Sequence, residues 1–432
     1  MTEEAIAHSR KITDSSVRLK AWIILSCVWA FYLYEYVLRV TPTVITNQLM
    51  EQFNITAFSV GSLASVYYWS YVPLQIPCGV IVDKLGPRKV VTFSIILSVL
   101  GTILFSQSSS LLVSYIGRFI VGAGAACAYL SCLKVASDWF KPSHFAFIVG
   151  ASMMMGTLGG IFGSKPFAIL VNSYGWRPAM LIAAAVGVLV CFVCWFVMQD
   201  KPGESEVKKN EEASLFEGIK VIATKTQSWI VGIYGCMVYI PLAAFADLWG
   251  VPYFMQRFGL TNEQASYGSV VVYIGVALGC FATSYVSKKL RSRVKVMAFS
   301  STATFFGFLS VFYIPNISYA IAIGLLLLTG MLSGLSIIYF AVAKESNPIK
   351  YTATTVGFIN ALCMMCPIIF QPLLGGLIDY SWNGSFNANG SPAYTTGDYE
   401  FALGAVLIGL LIGRVLVFFI NDTFKKSEEK VT

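Results

Sequence analysis

Long apolar runs recur along the whole chain, separated by short polar or basic turns. They place candidate spans at 20–44, 57–82, 89–107, 110–134, 144–171, 175–198, 228–255, 263–288, 294–314, 317–342, 351–378 and 398–421. A helix needs about 20 apolar residues to cross a hydrocarbon core of about 30 Å, and most of these runs reach that length. They are continuous rather than alternating, and lipid admits only helices or closed barrels, so the pattern predicts an all-α membrane protein of twelve transmembrane helices. One polar stretch stands apart, from Gln199 to about Gln227, and contains Lys201-Pro202-Gly203-Glu204 and Lys208-Lys209-Asn210-Glu211-Glu212. It predicts an N-terminal six-helix bundle (1–198), a solvated linker (199–227) and a C-terminal six-helix bundle (228–432). Residues 1–20 are polar and lead straight into a full-length apolar segment, so the first helix is expected to be retained rather than cleaved.

Composition agrees with the pattern. The chain is 56% hydrophobic and 12% charged, with a mean hydropathy of +0.70, whereas soluble domains carry roughly a quarter charged residues. The charges are also sorted by side. Of the 30 lysines and arginines, Arg39, Arg118, Lys165 and Arg414 fall within spans and Arg177 and Arg257 on one side. All the others, including Arg10, Lys11, Lys208, Lys209, Lys288, Lys289, Arg291, Lys425 and Lys426, fall on the other. Basic residues accumulate on the cytoplasmic side, so both termini and the linker are expected in the cytoplasm and the chain in the cell's inner (plasma) membrane. The net charge of +8 thus reports orientation, and no nucleic-acid partner is implied. Cys191/Cys194 and Cys363/Cys366 have CxxC spacing but lie in apolar runs, where small packing residues are expected rather than a metal or redox site. The only histidines, His8 and His144, lie outside the apolar interior of the predicted spans, His144 at the first position of the fifth. This argues against His-dependent catalysis, and neither an enzyme nor a cofactor or metal is expected.

The turn after the second span reads Gly79-Val-Ile-Val-Asp83-Lys84-Leu-Gly86-Pro87-Arg88-Lys89. Gly79 is expected to allow close helix packing, Asp83 to end the helix, Gly86 to permit the tight turn, and Arg88 and Lys89 to lie at the membrane surface. This segment resembles the signature of the major facilitator superfamily between helices 2 and 3 at every specified position. In that family the aspartate engages the basic cluster and the N-terminus of helix 11, a charge–dipole contact that latches the cytoplasmic side. Arg118-Phe-Ile-Val-Gly122-Ala-Gly124 in span 4 resembles a second family motif, linked to proton transfer or substrate carboxylate binding. Gly156-Thr-Leu-Gly159-Gly160 resembles the helix-5 motif but lacks its proline, so close packing and not antiport is expected. Tyr174-Gly175-Trp176-Arg177-Pro178 also resembles a common turn of the family. The second half repeats the pattern only weakly, as Ser287-Lys288-Lys289-Leu290-Arg291-Ser292-Arg293. The resemblance implies the major facilitator fold, with spans 1, 4, 7 and 10 around a central cavity.

Ionisable residues inside a membrane are costly and mark functional sites. Glu35 lies near the middle of span 1, and Asp247 in the outer half of span 7, each followed by a proline, Pro42 or Pro252. An isolated carboxylate in a low-dielectric interior favours its neutral form and can titrate near neutrality, as a proton-coupled carrier requires. Glu35 precedes Arg39 by one helical turn. Two arrangements fit: a structural ion pair, or a cavity patch shared with Arg118. An arginine for a carboxylate and an acid for an ammonium would suit a zwitterion. Asp247 is either part of such a site or a helix-end cap. Tyr32 and Tyr36 flank Glu35, and Tyr68 and Tyr71 stand in span 2; such rings either bond a substrate or belong to the interfacial belt. Asn360 and Gln371 are candidate polar lining in span 11. Lys165 either lines the outer cavity or snorkels, as Arg414 is expected to do. Lys134 with Asp138, and Lys344 with Glu345, are gate pairs or ordinary solvated helix ends.

These features predict a secondary transporter working by alternating access as proton symport, with a small-molecule substrate, protons and the lipid bilayer as partners and a monomer as the unit. Tyr34-Glu35-Tyr36-x-x-Arg39-Val-Thr-Pro42 and Trp139-Phe140 resemble the bacterial branch that contains phagosomal amino-acid transporters, which implies an amino acid or short peptide. The alternatives are an organic anion, a sugar acid or a siderophore, and a non-transporting nutrient sensor. The short tail after Asn421 argues against the sensor.

Overall fold

The computed structural model describes residues 3–140, 142–200 and 211–424; Lys208, Lys209, Lys425 and Lys426 lie outside them. Eleven segments are long and apolar enough to cross a membrane. They are span 1 (Leu19–Phe53), span 3 (Pro87–Gln107), span 4 (Leu111–Trp139), span 5 (Phe147–Tyr174), span 6 (Trp176–Val197), span 7 (Thr226–Phe258), span 8 (Asn262–Leu290), span 9 (Arg293–Tyr313), span 10 (Tyr319–Ser346), span 11 (Thr354–Ser381) and span 12 (Thr396–Phe419). The 29-residue helix Ala57–Leu85 is span 2. Its run Tyr67-Tyr68-Trp69-Ser70-Tyr71 dilutes its apolarity without shortening it. Twelve spans put both termini on one face, termed here the terminal face, opposite a far face.

Spans 1–6 and 7–12 pack as two bundles with the same internal pairings: 3 with 4 and 6, 2 with 4, and 1 with 5, matched by 9 with 10 and 12, 8 with 10, and 7 with 11. Small residues make these crossings possible. A Cβ on Gly122 would lie 1.9 Å from the Tyr67 carbonyl oxygen, and one on Gly279 2.0 Å from that of Met331. The bundles meet through spans 2 and 11 and through spans 5 and 8.

Part of the predicted linker is ordered. Residues Glu211–Ala223 form a helix that packs on span 11, and Glu217 lies 3.8 Å from Lys350. Trp229 Nε1 donates to the Ala223 carbonyl at 2.7 Å, tying this helix to span 7. Residues 211–223 of the predicted linker are thus a helix held against the C-terminal bundle.

The repeat is clearer in the structure than in the residues. Gly86 turns between spans 2 and 3 with φ +79, and Arg291 takes φ +47 at the matching turn between spans 8 and 9. The left-handed region costs a non-glycine residue about 1–2 kcal/mol. In each half an aspartate beyond the last span accepts a backbone N–H in the first turn of the third helix: Asp200 from Arg88 at 2.9 Å, Asp422 from Arg293 at 3.1 Å. Burial raises the Asp422 carboxyl, but bonds from Ser292 and from the N–H groups of Phe424, Arg293 and Val294 outweigh it and hold the group below its ordinary value. A folded-state value below the unfolded one stabilises the fold above about pH 4 and stops doing so as pH falls through the folded value. Asp422→Asn is therefore expected to lower the thermal midpoint in detergent at pH 7, and the deficit to close as pH is lowered from about 5 toward 3.

The two arginines of the far face have a shared structural use. Arg177 donates to the Ser106 and Ser108 carbonyls at the end of span 3, at 2.6 and 2.7 Å. Arg257 donates to the Phe312 and Ile314 carbonyls at the end of span 9. Cations there satisfy orphan carbonyls at the negative ends of the helix dipoles.

Candidate functional site

The first helix of each three-helix unit is irregular near its middle. Span 1 breaks at Thr41, between helices Glu3–Val40 and Pro42–Phe53. Span 4 turns at Ala126 and Cys127, span 7 contains a π-helical segment, Pro241–Trp249, and span 10 a 3₁₀ turn, Leu335–Ile338. Such irregularities free backbone groups that must find partners, and they concentrate at functional positions.

In span 1, Pro42 has no N–H to donate to the Leu38 carbonyl four residues back. Arg118 of span 4 replaces it: Nη1 donates to Leu38 O at 2.8 Å and Nη2 to Arg39 O at 3.4 Å. The Thr41 hydroxyl adds a bond to Leu38 O at 2.9 Å. Arg118 thus props the backbone that carries Arg39. Carbonyls in and beside the span 7 π segment are served in the same way by neighbouring spans. Gln371 Nε2 donates to Ala243 O at 2.8 Å, Ser269 Oγ to Ala246 O at 2.9 Å, and Thr43 Oγ1 to Leu248 O at 3.0 Å.

This scaffolding presents two opposite charges across the bundle interface. Arg39 Nη2 lies 3.3 Å from Asp247 Oδ2. The pair is enclosed by hydroxyls. Arg39 Nε donates to Tyr68 Oη at 2.7 Å and Nη2 to Tyr239 Oη; the Tyr273 hydroxyl donates to Asp247 Oδ1, and that of Tyr68 approaches Oδ2 at 3.4 Å. The guanidinium also lies 4.5 Å from the Tyr36 ring centre, a cation–π contact. Arg39 Nη1 takes part in none of these hydrogen bonds.

Glu35, Arg39, Arg118 and Asp247 are respectively 2, 7, 1 and 2% exposed. Glu35 does not meet Arg39, so the one-turn ion pair admitted by the spacing is not formed. Its neighbours include Ser98, Cys127, Tyr34 and Tyr67, all inside the N-terminal bundle. Neither carboxylate oxygen has a hydrogen-bond partner among the described residues. The Arg118 guanidinium is bonded to span 1 carbonyls and lies 5.3 Å from the centre of the Tyr67 ring. Tyr32 and Tyr36 meet edge to face at 6.2 Å. Tyr71 stacks on Tyr67 at 5.8 Å and meets Tyr68, which bonds the pair, edge to face at 6.4 Å.

Tyr32 leads on to Tyr129, with ring centres 5.7 Å apart, and Tyr129 lines a cavity of about 380 Å³ between the bundles. Met153 and Thr157 border it on the N-terminal side, Cys280, Phe340 and Asn360 on the other. The wall is mainly apolar, with Asn360 bonded to Gln75 at 3.1 Å. Toward the far face the bundles are joined. Asn262 Nδ2 donates to Val44 O at 2.6 Å, Lys165 lies 3.7 Å from Glu263, and Lys165 donates to the Tyr267 hydroxyl. Lys165 therefore bridges the bundles.

On the terminal face Asp83 is 3.2 Å from Lys134, which also pairs with Asp138 at 3.0 Å, all within one bundle. Asp83 lies inside the last turn of a helix that continues to Leu85, so it does not end it. Among the described residues nothing lies within 4 Å of a Cβ on Gly79, so they do not show the expected close packing there. Arg88 stacks on Trp195 at 4.6 Å, and Lys89 is exposed. Glu345 pairs with Arg293 at 3.0 Å, again within one bundle. Sequence reasoning missed Tyr239 and Tyr273, whose only signal was their place in spans 7 and 8.

Known proteins agree with this architecture. The family model of the Major Facilitator Superfamily matches residues 24–372. The chain is 23% identical over 436 residues to a probable sulfoacetate transporter, SauU, of Cupriavidus necator, covering 94% of this chain and 96% of the relative. It is 25% identical over 292 residues to the lysosomal dipeptide transporter MFSD1 of Danio rerio, covering 62% and 61%. The crystal structure of a bacterial homologue of the human lysosomal transporter Spinster superposes with a TM-score of 0.77 at 15% identity, over 93% of this chain and 97% of that one. With its two six-helix bundles, its irregular cavity helices and its sequence match across most of its length, the chain belongs to the Major Facilitator Superfamily and is a membrane transporter.

Proposed function

We propose that this transporter carries a small carboxylate-bearing nutrient with an apolar body, an apolar amino acid or short peptide, by proton symport, with the terminal face in the cytoplasm. The observation that carries the reading is the Arg39–Asp247 pair, buried at the junction of the bundles, with Tyr36 and Tyr32 leading from it to Tyr129 in the wall of a mainly apolar cavity. A substrate carboxylate can take Arg39 bidentately, using Nη1 and displacing Asp247, while a substrate ammonium takes the displaced carboxylate. The exchange keeps both charges paired, as a low-dielectric site demands, and loosens a bond between the bundles.

Glu35 supplies the proton site in this reading. Ionised and without a bonding partner, a buried carboxylate costs far more than its neutral form, so Glu35 holds a proton in the conformation described. A proton moving through 100 mV contributes about 2.3 kcal/mol, enough for roughly fiftyfold accumulation. The likeness to SauU favours a second reading, a small organic anion that uses Arg39 alone.

Uptake into proteoliposomes tests both. Apolar amino acids and dipeptides are expected to accumulate when the lumen is alkaline, and to equilibrate without concentrating when no pH gradient is imposed. Gradient-independent uptake would remove the symport assignment, and uptake of sulfoacetate but no zwitterion would select the second reading.

A further inference from the structure

Span 2 starts at the far face with Ala57, and the preceding Thr56 gives its first turn no side-chain cap. The cap comes from the other bundle. Asp379, two residues before the end of span 11, accepts Ala57 N–H with Oδ1 at 3.1 Å and Phe58 N–H with Oδ2 at 2.9 Å. The Tyr394 hydroxyl donates to Asp379 Oδ1 and accepts from Ala57 N–H at 2.9 Å. A carboxylate is disfavoured at the C-terminal end of its own helix and favoured at the N-terminus of another. The contact therefore gives Asp379 a favourable helix end, which it loses when the far face opens. The helices are built to reach it: a Cβ on Gly375 would lie 2.4 Å from Ala57 O, and one on Gly61 2.3 Å from Gln371 O.

The geometry has a counterpart at the opposite end of the same two helices. Asp83 sits in the last turn of span 2, and Tyr351, which precedes span 11, offers no side-chain cap to that helix. Asp83 is 38% exposed and paired with Lys134 of its own bundle. Each helix thus carries a carboxylate near its C-terminus and an N-terminus without a cap from the residue that precedes it. One of the two possible cross-bundle contacts is made.

We propose that Asp379 is a far-face latch, the counterpart of the cytoplasmic latch that the family resemblance already implies for Asp83. Asp379 on the N-terminus of span 2 holds the far face shut while the terminal face is open, and its release allows Asp83 to reach the N-terminus of span 11. Because the two contacts lie at opposite ends of one helix pair, rocking about the middle exchanges them.

Electron–electron distance measurement between spin labels at Ser109→Cys and Asn316→Cys, exposed on the far face of opposite bundles, tests this, with the labelled parent chain as background. Asp379→Asn, which removes the charge, is expected to raise the ratio of far-open to far-closed molecules about tenfold or more. Ala57→Pro is expected to move it the same way with Asp379 intact. It removes one donor at a first-turn position that tolerates proline, after a Thr56 already extended at ψ 173. Adding Asp83→Asn to Asp379→Asn is expected to return the ratio toward the parent. A ratio within twofold of the parent in both single variants overturns the proposal. So does a shift in Asp379→Asn alone, since the N-terminus of span 2 would then not be its partner. Should Asp379→Asn fail to fold, Ala57→Pro decides.

Discussion

Replacing Arg39 with glutamine is expected to reduce uptake by about two orders of magnitude or more, while protein of normal size and helicity still reaches the membrane. Two losses combine. The substrate carboxylate loses its bidentate cation, and Asp247 is left buried without its countercharge. Breaking such a pair costs about 3–5 kcal/mol, and at 1.4 kcal/mol per decade this covers the expected loss. Lysine is expected to rescue little, because a point charge cannot replace a planar fork that bonds Tyr68, Tyr239 and Asp247 together. Arg39→Gln combined with Asp247→Asn removes the charge imbalance. It is expected to recover stability without recovering transport, which separates the substrate role from the structural one. Thermal melting of the four proteins beside initial uptake rates makes the comparison.

Glu35→Gln is expected to have the second largest effect, and a selective one: loss of gradient-driven accumulation with exchange preserved. Glutamine has the shape of a protonated glutamate but cannot release a proton. The Arg39–Asp247 pair, which does not include Glu35, is left intact. Counterflow of labelled against unlabelled substrate should proceed near the parent rate, while uptake driven by a pH gradient should stop at equilibration. Normal accumulation by the variant would mean that the coupling proton binds elsewhere, with Asp247 as the next candidate.

The helices were legible in the residues because lipid imposes a simple requirement: long apolar runs with charge confined to their ends. The Gly86 turn was legible for a similar reason, since few residues take φ +79 without strain. The charged site was legible in content but not in pairing. Arg39 and Asp247 are 208 residues apart, and no local spacing links them. Glu35, one turn from Arg39, offered a nearer partner, yet the long arginine side chain reaches across the interface while the shorter glutamate turns into its own bundle. Arg118 was conspicuous as a buried cation, but its task depends on a carbonyl that Pro42 leaves unbonded. Asp379 escaped notice because an acid near a helix end usually meets solvent, and only the packed helix pair reveals the N-terminus opposite it. The Asp200 and Asp422 caps, likewise, repeat in space without a repeated motif around them.

The central claim is that Arg39 changes partners, from Asp247 to the substrate. The most direct test is a structure of the transporter saturated with a transported apolar amino acid. The account predicts the substrate carboxylate within hydrogen-bonding distance of the Arg39 guanidinium, its side chain toward Met153 and Phe340, and Asp247 drawn away from Arg39. Substrate bound elsewhere, with the Arg39–Asp247 contact still near 3.3 Å, would contradict it.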